Sequence, residues 1–420
     1  MSVAMSVALA AFCLVTSLPA AAAEERGDCA PDGPTLRYLV LFDQGTSPAD
    51  ADAEVRAACG TTSVYYPEIA VAVVRSDDSR LVEKIGSDRA YSAQSEAQHA
   101  DGGNELKTPG DVLAPAGDED VPSVDRSAEQ WDMRMISADA AHRVSEGSRD
   151  VLVGVLDSGI DPHQPDLTAA LDQKDSAGCV SGKPLTGETE WEPTTSWHGT
   201  HVAGTIAAAD DGKGITGVAP GVRVASVKVV DDEGYIYPKA AVCGLLWAAR
   251  SHMAVTNNSY FVDPWLFTCE HSAGQHVVYE AMRRAAAYAE SAGVLNVVAA
   301  TNTGLDLSNA TEDPVSPDNA ALEARHTREL AGDCVVLPAG LPGTVTVSAV
   351  GTDGVKAGYS AYGLGAIDVT APGGDRQSGR RGEQECVLST VPGGYARYCG
   401  TSMATPHVTG VAALLASTHP

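Results

Sequence analysis

Ser402 stands in the run Gly400-Thr401-Ser402-Met403-Ala404-Thr405-Pro406-His407, and the apolar positions that follow, Val408, Val411, Ala412, Leu414 and Leu415, predict a helix buried on most sides. A serine at a helix N-terminus lies among unpaired N–H groups in a positive local potential. An oxyanion formed beside it would therefore meet donors already in place. Gly400 and Ala404 leave room for a second backbone, and Pro406 is expected near the first turn, where a missing N–H costs little. A free hydroxyl is a poor nucleophile at neutral pH and needs a base within hydrogen-bond reach. Two imidazoles are candidates, His198 and His201, in Trp197-His198-Gly199-Thr200-His201-Val202-Ala203-Gly204. Asp157, which closes the apolar run from Val151 to Leu156, is a carboxylate able to orient one of those rings. A lone G-x-S is ordinarily a turn or a cap. The chemical reading rests on the three blocks taken together.

Val155-Leu156-Asp157-Ser158-Gly159-Ile160-Asp161, the Trp197 to Gly204 block and the Gly400 to His407 block, in the order Asp, His, Ser, resemble the signatures of the subtilisin-like serine peptidases. The resemblance runs over residues 130 to 420 and, more weakly, 35 to 90. It implies that Ser402 is the nucleophile, that His198 rather than His201 is the base, with His201 structural, and that Asp157 orients His198. Val297-Val298-Ala299-Ala300-Thr301-Asn302-Thr303-Gly304 resembles the family segment whose asparagine amide stabilises the oxyanion together with the nucleophile's own N–H, which implies that role for Asn302.

The same resemblance places Ala300 and Thr301 beside a substrate side-chain pocket, with Thr301 where the family commonly has glycine. It also places Ser259 and Tyr260 on the segment that pairs with an extended substrate. There Asn257-Asn258-Ser259-Tyr260-Phe261 replaces the frequent Ser-Leu-Gly-Gly, so side-chain preference does not carry over, while pairing through backbone groups does. Asp166 and Asp211, the latter in the loop Ala209 to Gly214, correspond in position to a structural calcium site. Oxygen ligands suit Ca²⁺; with Lys213 in the loop, a solvated turn is the competing reading. His198 and His201 lack the glutamate of a zincin-like arrangement. No cofactor is expected for catalysis.

Positioning these residues requires strands that end where they stand. Val151–Leu156, 222–230, 255–259, 294–300, 345–350 and 367–369 read as apolar strands, with helices over 202–208, 240–249 and 277–292 between them. Apolar strands separated by helices predict an α/β fold, a parallel sheet covered on both faces, whose ligands bind outside the carboxyl ends of the strands. Asp157, Ser259 and Asn302 all fall at such ends. Ahead of this domain, a strand at 36–42, a helix at 49–58, strands at 64–66 and 69–74 and a helix at 79–85 outline a small α+β domain. It resembles the inhibitory propeptide of the same family.

Residues 93–129 are rich in Gly, Pro, Ser and acid and predict an exposed linker in which the propeptide would be cut. The expected organisation is thus a signal peptide over 1–23, a propeptide domain over 35–92, the linker over 93–129 and a peptidase domain over 130–420. The chain stops soon after the helix of Ser402, so a C-terminally truncated domain is expected.

The apolar run from Ala8 to Leu18 followed by Ala21-Ala22-Ala23 has the outline of a signal peptide, although no Lys or Arg precedes it. No other segment is long and apolar enough to span a bilayer. A formal charge of −27 disfavours nucleic acid and anionic membranes as partners. With Cys13 lost alongside the signal, eight cysteines remain, an even number suited to an exported protein. Cys386 with Cys399 would close a short loop just before Ser402; Cys269 with Cys334, Cys179 with Cys243 and Cys29 with Cys59 are the further pairings expected. Together these readings predict a secreted, monomeric serine endopeptidase that hydrolyses protein or peptide substrates through an acyl-enzyme and is held by its own propeptide. The alternatives are a catalytically idle, protein-binding relative and a transpeptidase working through the same acyl-enzyme.

Overall fold

A computed structural model of the chain describes Cys29 and residues 33–94, 124–319, 327–376 and 385–419. The expected signal segment and the stretch 95–123 of the expected linker lie outside the described residues.

The N-terminal module runs β1 (Leu36–Leu41), α1 (Pro48–Ala57), β2 (Thr61–Tyr66), β3 (Val71–Ser76), α2 (Leu81–Ile85) and β4 (Ala90–Tyr91), with an antiparallel sheet in the order β2-β3-β1-β4. The Ser47 hydroxyl accepts from Asp50 N–H and Pro48 occupies the first helical position, which together start α1. Alternation along the strands divides the module's apolar residues between two cores. Tyr38, Val40, Ala72 and Val74 pack on Val55 and Leu81 within the module. Leu39, Leu41, Val71 and Val73 point the other way, into a core shared with the larger domain.

The larger domain opens with two short helices, α3 (Trp131–Met135) and α4 (Ala138–His142). Its main sheet is built from β5 (Leu152–Asp157), β6 (Ala177–Gly178), β7 (Arg223–Lys228), β8 (Val255–Asn258), β10 (Leu295–Ala299), β14 (Thr344–Val350) and β15 (Val369–Pro372). These seven strands are parallel, in the order β15-β14-β10-β8-β5-β7-β6. Two short antiparallel pairs stand apart from it, β9 (Thr268–Cys269) with β13 (Cys334–Val335) and β11 (Glu312–Asp313) with β12 (Arg328–Glu329).

Helices cover both faces of the sheet. Between β6 and β7 lie α5 (Glu188–Trp191) and α6 (His198–Ala207); α7 (Pro238–Arg250) precedes β8, α8 (Gln275–Ser291) precedes β10, and α9 (Thr401–Thr418) closes the domain. Val153 and Val155 pack with Val202 and Ile206 of α6 and Ala413 and Leu414 of α9, whereas Leu152 and Leu156 pack with Leu245 of α7 and Ala281 of α8. A strand buried on both faces reads as the unbroken apolar run seen in the sequence. After β5 the chain moves towards β7 and β6, and after β8 it moves towards β10. The order therefore reverses between β5 and β8, and the crevice at their carboxyl ends is where such sheets bind ligands.

The module sits on α7 and α8 of the large domain. Tyr66 donates its hydroxyl to Gly182 O at 2.8 Å, Arg284 Nη1 donates to Phe42 O and Ile69 O at 2.9 and 3.1 Å, Arg250 pairs with Glu68 at 2.7 Å, and the Tyr91 and Trp265 rings lie 4.9 Å apart. All four expected disulfides are formed: Cys29–Cys59, Cys179–Cys243, Cys269–Cys334 and Cys386–Cys399.

Three differences from expectation have clear causes. Residues 124–129, expected as the end of the linker, are held on the large domain, because Asp125 bridges to Gly214 and residues 127–129 form a helical turn. Cys386 and Cys399 flank a hairpin, β16 (Val387–Val391) and β17 (Gly394–Tyr398), not a bare loop. Pro406 is the sixth helical residue of α9, beyond the first turn.

Candidate active site

Asp157 is the last residue of β5 and is buried; both of its carboxylate oxygens face His198 Nδ1, at 2.8 and 2.9 Å. The carboxylate also accepts from Ser158 N–H at 2.7 Å, so the acid cannot swing away from the ring. His198 is the first residue of α6. What lets the helix start so close to the strand end is Gly199, where an added Cβ would meet Gly159 O at 2.5 Å and Asp157 Cβ at 3.1 Å. Ser158 Oγ stitches the approach, donating to Ser196 O and accepting from Gly199 N–H at 3.1 and 3.0 Å.

His201, one turn further along α6, is fully buried. Its ring stacks on Tyr398 at 4.3 Å and Nε2 donates to Ala396 O at 3.1 Å. Burial, with the neighbouring His198 adding to it, pushes its pKa down to about 3, so it is a neutral core histidine. The structural part expected of it matches this setting.

Ser402 is the second residue of α9 and is bonded twice to Ser259, the residue after β8: Ser402 Oγ donates to Ser259 O at 3.2 Å and Ser259 Oγ donates to Ser402 O at 3.0 Å. The second bond explains Pro406. A proline inside a helix removes the N–H that would bond the carbonyl four residues back, here Ser402 O, and Ser259 Oγ takes that place. Because Leu156 pairs with Asn258 in parallel register, Asp157 and Ser259 leave the sheet side by side, one strand spacing of about 4.8 Å apart. His198 hangs from the first and Ser402 from the second, so both lie on one rim of the sheet, at the crevice where the strand order reverses.

The N–H groups at the start of α9 complete the site. Thr401 N–H donates to Asn302 Oδ1 at 2.9 Å, and Met403 and Ala404 N–H both donate to Gly400 O. Ser402 N–H finds no acceptor among the described residues. Asn302 Oδ1 is held a second time by Thr401 Oγ1 at 2.9 Å, which leaves Nδ2 beside Gly400. A Cβ at Gly400 would stand 3.3 Å from Nδ2, so glycine keeps that edge open. Among the described residues neither Ser402 N–H nor Asn302 Nδ2 has a protein acceptor; donors of this kind are what a developing oxyanion requires.

The neighbouring residues divide. Ala300 N–H continues the sheet ladder to Val347 O at 3.0 Å. Thr301 has φ of 92°, a left-handed conformation that a β-branched residue rarely adopts and that costs about 1–3 kcal/mol. This bend turns the chain from β10 towards the Asn302 contact with α9, and Thr301 O is anchored by Ala361 N–H at 3.1 Å. Tyr260, expected on the segment that pairs with an extended substrate, turns its side chain inwards: the ring is buried and its hydroxyl donates to Asn258 Oδ1 at 2.9 Å. Its backbone is what remains for pairing with a peptide.

At the expected cation position both carboxylates are engaged by protein donors. Asp166 is buried and its Oδ2 accepts from Tyr395 O–H at 2.8 Å and Ile215 N–H at 3.2 Å, while burial pushes its pKa upwards. Asp211 Oδ1 accepts from Lys213 N–H at 3.0 Å. Among the described residues no cluster of three or more metal-ligating side chains occurs.

Residues 148–420 match the model of the Subtilase family, Peptidase_S8, and the chain belongs to that family. It is 34% identical over 291 residues to subtilisin NAT of Bacillus subtilis subsp. natto and to subtilisin E of Bacillus subtilis strain 168, covering 69% of this chain and 61% of each relative. The chain thus spans about three fifths of the length of these relatives. Among solved structures, the epidermin leader peptide processing serine protease EpiP from Staphylococcus aureus superposes with a TM-score of 0.67 at 20% identity, over 92% of this chain and 88% of that one. A lanthipeptide protease follows with a TM-score of 0.56 at 26% identity, over 70% and 81%.

Proposed function

We propose that the protein is a serine endopeptidase that hydrolyses peptide bonds through an acyl-enzyme. The observation that carries this reading is the pair of unclaimed donors, Ser402 N–H and Asn302 Nδ2, on the rim that also holds the Asp157–His198 pair. His198 Nδ1 is committed to Asp157, which assigns Nε2 to proton transfer. In the reaction, Ser402 Oγ attacks the scissile carbonyl carbon and loses its proton to His198, and the carbonyl oxygen becomes an oxyanion between the two donors. His198 then returns the proton to the leaving amine. A water, activated by the same ring, hydrolyses the ester and restores Ser402.

The substrate is an extended protein or peptide segment, since the rim residues offer backbone groups for strand pairing and the lanthipeptide-protease neighbour shares this fold. The N-terminal module acts as an intramolecular inhibitor removed by cleavage in the segment between it and residue 124. Its shared core with α7 and α8 supports that role. Four disulfides favour an oxidising, extracellular destination, and no helix among the described residues is long and apolar enough to cross a membrane. A fluorophosphonate probe tests the reading: it labels the wild-type chain and leaves Ser402→Ala unlabelled. A wild type that is folded and unlabelled is instead an idle relative, and transfer of the acyl group to a competing amine identifies a transpeptidase.

A further inference from the structure

The chain holds a second aspartate–histidine pair, buried at the start of α9. His407 Nε2 lies 3.0 Å from Asp132 Oδ2, with 1% and 0% of the two side chains exposed. His407 Nδ1 lies 2.8 Å from Met403 O, in the first turn of α9. Met403 O can only accept, so Nδ1 carries a hydrogen and donates. The ring therefore spans from the turn that carries Ser402 to the short helix α3, which is 275 residues away in sequence.

This bridge falls where α9 is weakest. Pro406 removes one internal bond from the first turn of the helix, and that turn is held by side chains instead: Ser259 on Ser402 O, Thr405 Oγ1 on Thr401 O at 2.8 Å, Thr401 on Asn302, and His407 on Met403 O. Of these, the His407 bond alone is tied to the segment that follows the linker. That segment is itself pinned. Gln130 exchanges two bonds of 2.9 Å with Thr216, Arg397 pairs with Glu129 at 2.8 Å, and Trp131 Nε1 donates to Cys386 O at 3.2 Å. Asp132 is thus a fixed point against which the imidazole can hold the turn. Its Oδ1 is buried and without a partner among the described residues, a cost that a merely space-filling residue would avoid.

We propose that Asp132 and His407 are positioning residues for the peptidase reaction: Asp132 fixes the His407 ring, and the ring fixes the Met403 carbonyl and with it the angle at which Ser402 Oγ and Ser402 N–H meet the substrate. The inference rests on the peptidase reading of the rim. A misplacement on the scale of 1 Å at a reacting group costs up to about a hundredfold in rate.

The test uses the full chain and four variants: Asp132→Asn, Asp132→Ala, His407→Asn and the double Asp132→Ala/His407→Asn. Asparagine at 132 keeps an acceptor for Nε2, and asparagine at 407 keeps a donor for Met403 O while losing the reach to Asp132. Rates are expressed per site titrated with the fluorophosphonate, so that unfolded molecules do not count. The expected result is a fall in kcat of about ten- to a hundredfold in Asp132→Ala, with KM within about threefold. Asp132→Asn is expected to recover most of that loss, and the double variant to be no slower than the slower single one. Unchanged kcat per titrated site in Asp132→Ala and His407→Asn overturns the proposal, as does a loss confined to KM or full additivity in the double variant. Should Asp132→Ala fail to fold, His407→Asn and Asp132→Asn carry the same comparison. A wild type that never labels overturns the rim reading and this inference with it, whereas a labelled wild type with unmoved variants overturns this inference alone.

Discussion

Asp157–His198 and Asp132–His407 are the same two residue types at nearly the same separation, 2.8 and 3.0 Å, in opposite surroundings. The first stands at the end of a strand, its imidazole 19% exposed and its carboxylate contacts gathered on Nδ1. The second is sealed inside, with each ring nitrogen facing an acceptor. A ring whose carboxylate contacts gather on one edge can pass a proton at the other, while a ring bonded to acceptors at both edges transmits position. Reactivity here is a property of where the pair sits relative to the sheet rim, not of the pair itself.

The largest effects should follow from removing the reacting groups. Ser402→Ala is expected to lower turnover by about five to six orders of magnitude, subtilisin being the reference case for that size, and to leave the full-length chain uncut in a host lacking other proteases. Normal maturation of that variant would show that another enzyme does the cutting. Asp157→Asn comes next, at about ten-thousandfold in kcat, because the amide can hold the wrong tautomer of His198 while the geometry survives. An equal loss from Asp132→Asn would erase the contrast between the two pairs. Asn302→Ala should cost a hundred- to a thousandfold in kcat with KM little changed, the size known for the corresponding amide of subtilisin. Steady-state kinetics on a peptide ester and a peptide amide separate these cases.

How much of this was visible beforehand follows the range of the interactions. The rim was legible because each part is a short local run at the end of an element: Leu156-Asp157 closes a strand, while His198-Gly199 and Gly400-Thr401-Ser402 open helices and carry both the side chain and the glycine that admits it. The doubly covered sheet was legible for a similar reason, since Val151 to Leu156 is apolar without interruption.

What stayed hidden depends on partners distant in sequence. Val124 to Glu129 reads as linker by composition, yet Gly214 and Arg397 hold it in place. Tyr260 reads as a residue of the substrate segment, yet its hydroxyl finds a partner in Asn258 in the interior. The hairpin β16–β17 has a polar, Gly-rich centre around Pro392-Gly393-Gly394, and its pairing is enforced by the Cys386–Cys399 bond. His407 was counted as the end of a motif. Nothing in its neighbourhood points to Asp132 across most of the chain.

The smallest expected effect concerns His201, which shares α6 with His198 and differs from it by one turn of depth. Its pKa is near 3 in the folded protein against 6.5 in the unfolded chain, because burial disfavours the charged ring. Between those values the unfolded chain binds the proton and the folded one does not. This group's contribution is therefore fully present above pH 6.5 and is lost as pH falls towards 3. From pH 7 to pH 5 the loss amounts to about 2 kcal/mol, at 1.36 kcal/mol for each unit of separation. His201→Gln keeps a donor for Ala396 O and removes the titration. In a Ser402→Ala background, which prevents self-digestion, urea unfolding of the two chains at pH 7 and pH 5 reads the difference. The glutamine variant should lose less stability on acidification by about that amount. Equal acid sensitivity would mean that His201 takes up its proton inside the folded domain, and the division of α6 into a reactive end and an inert interior would have to be redrawn.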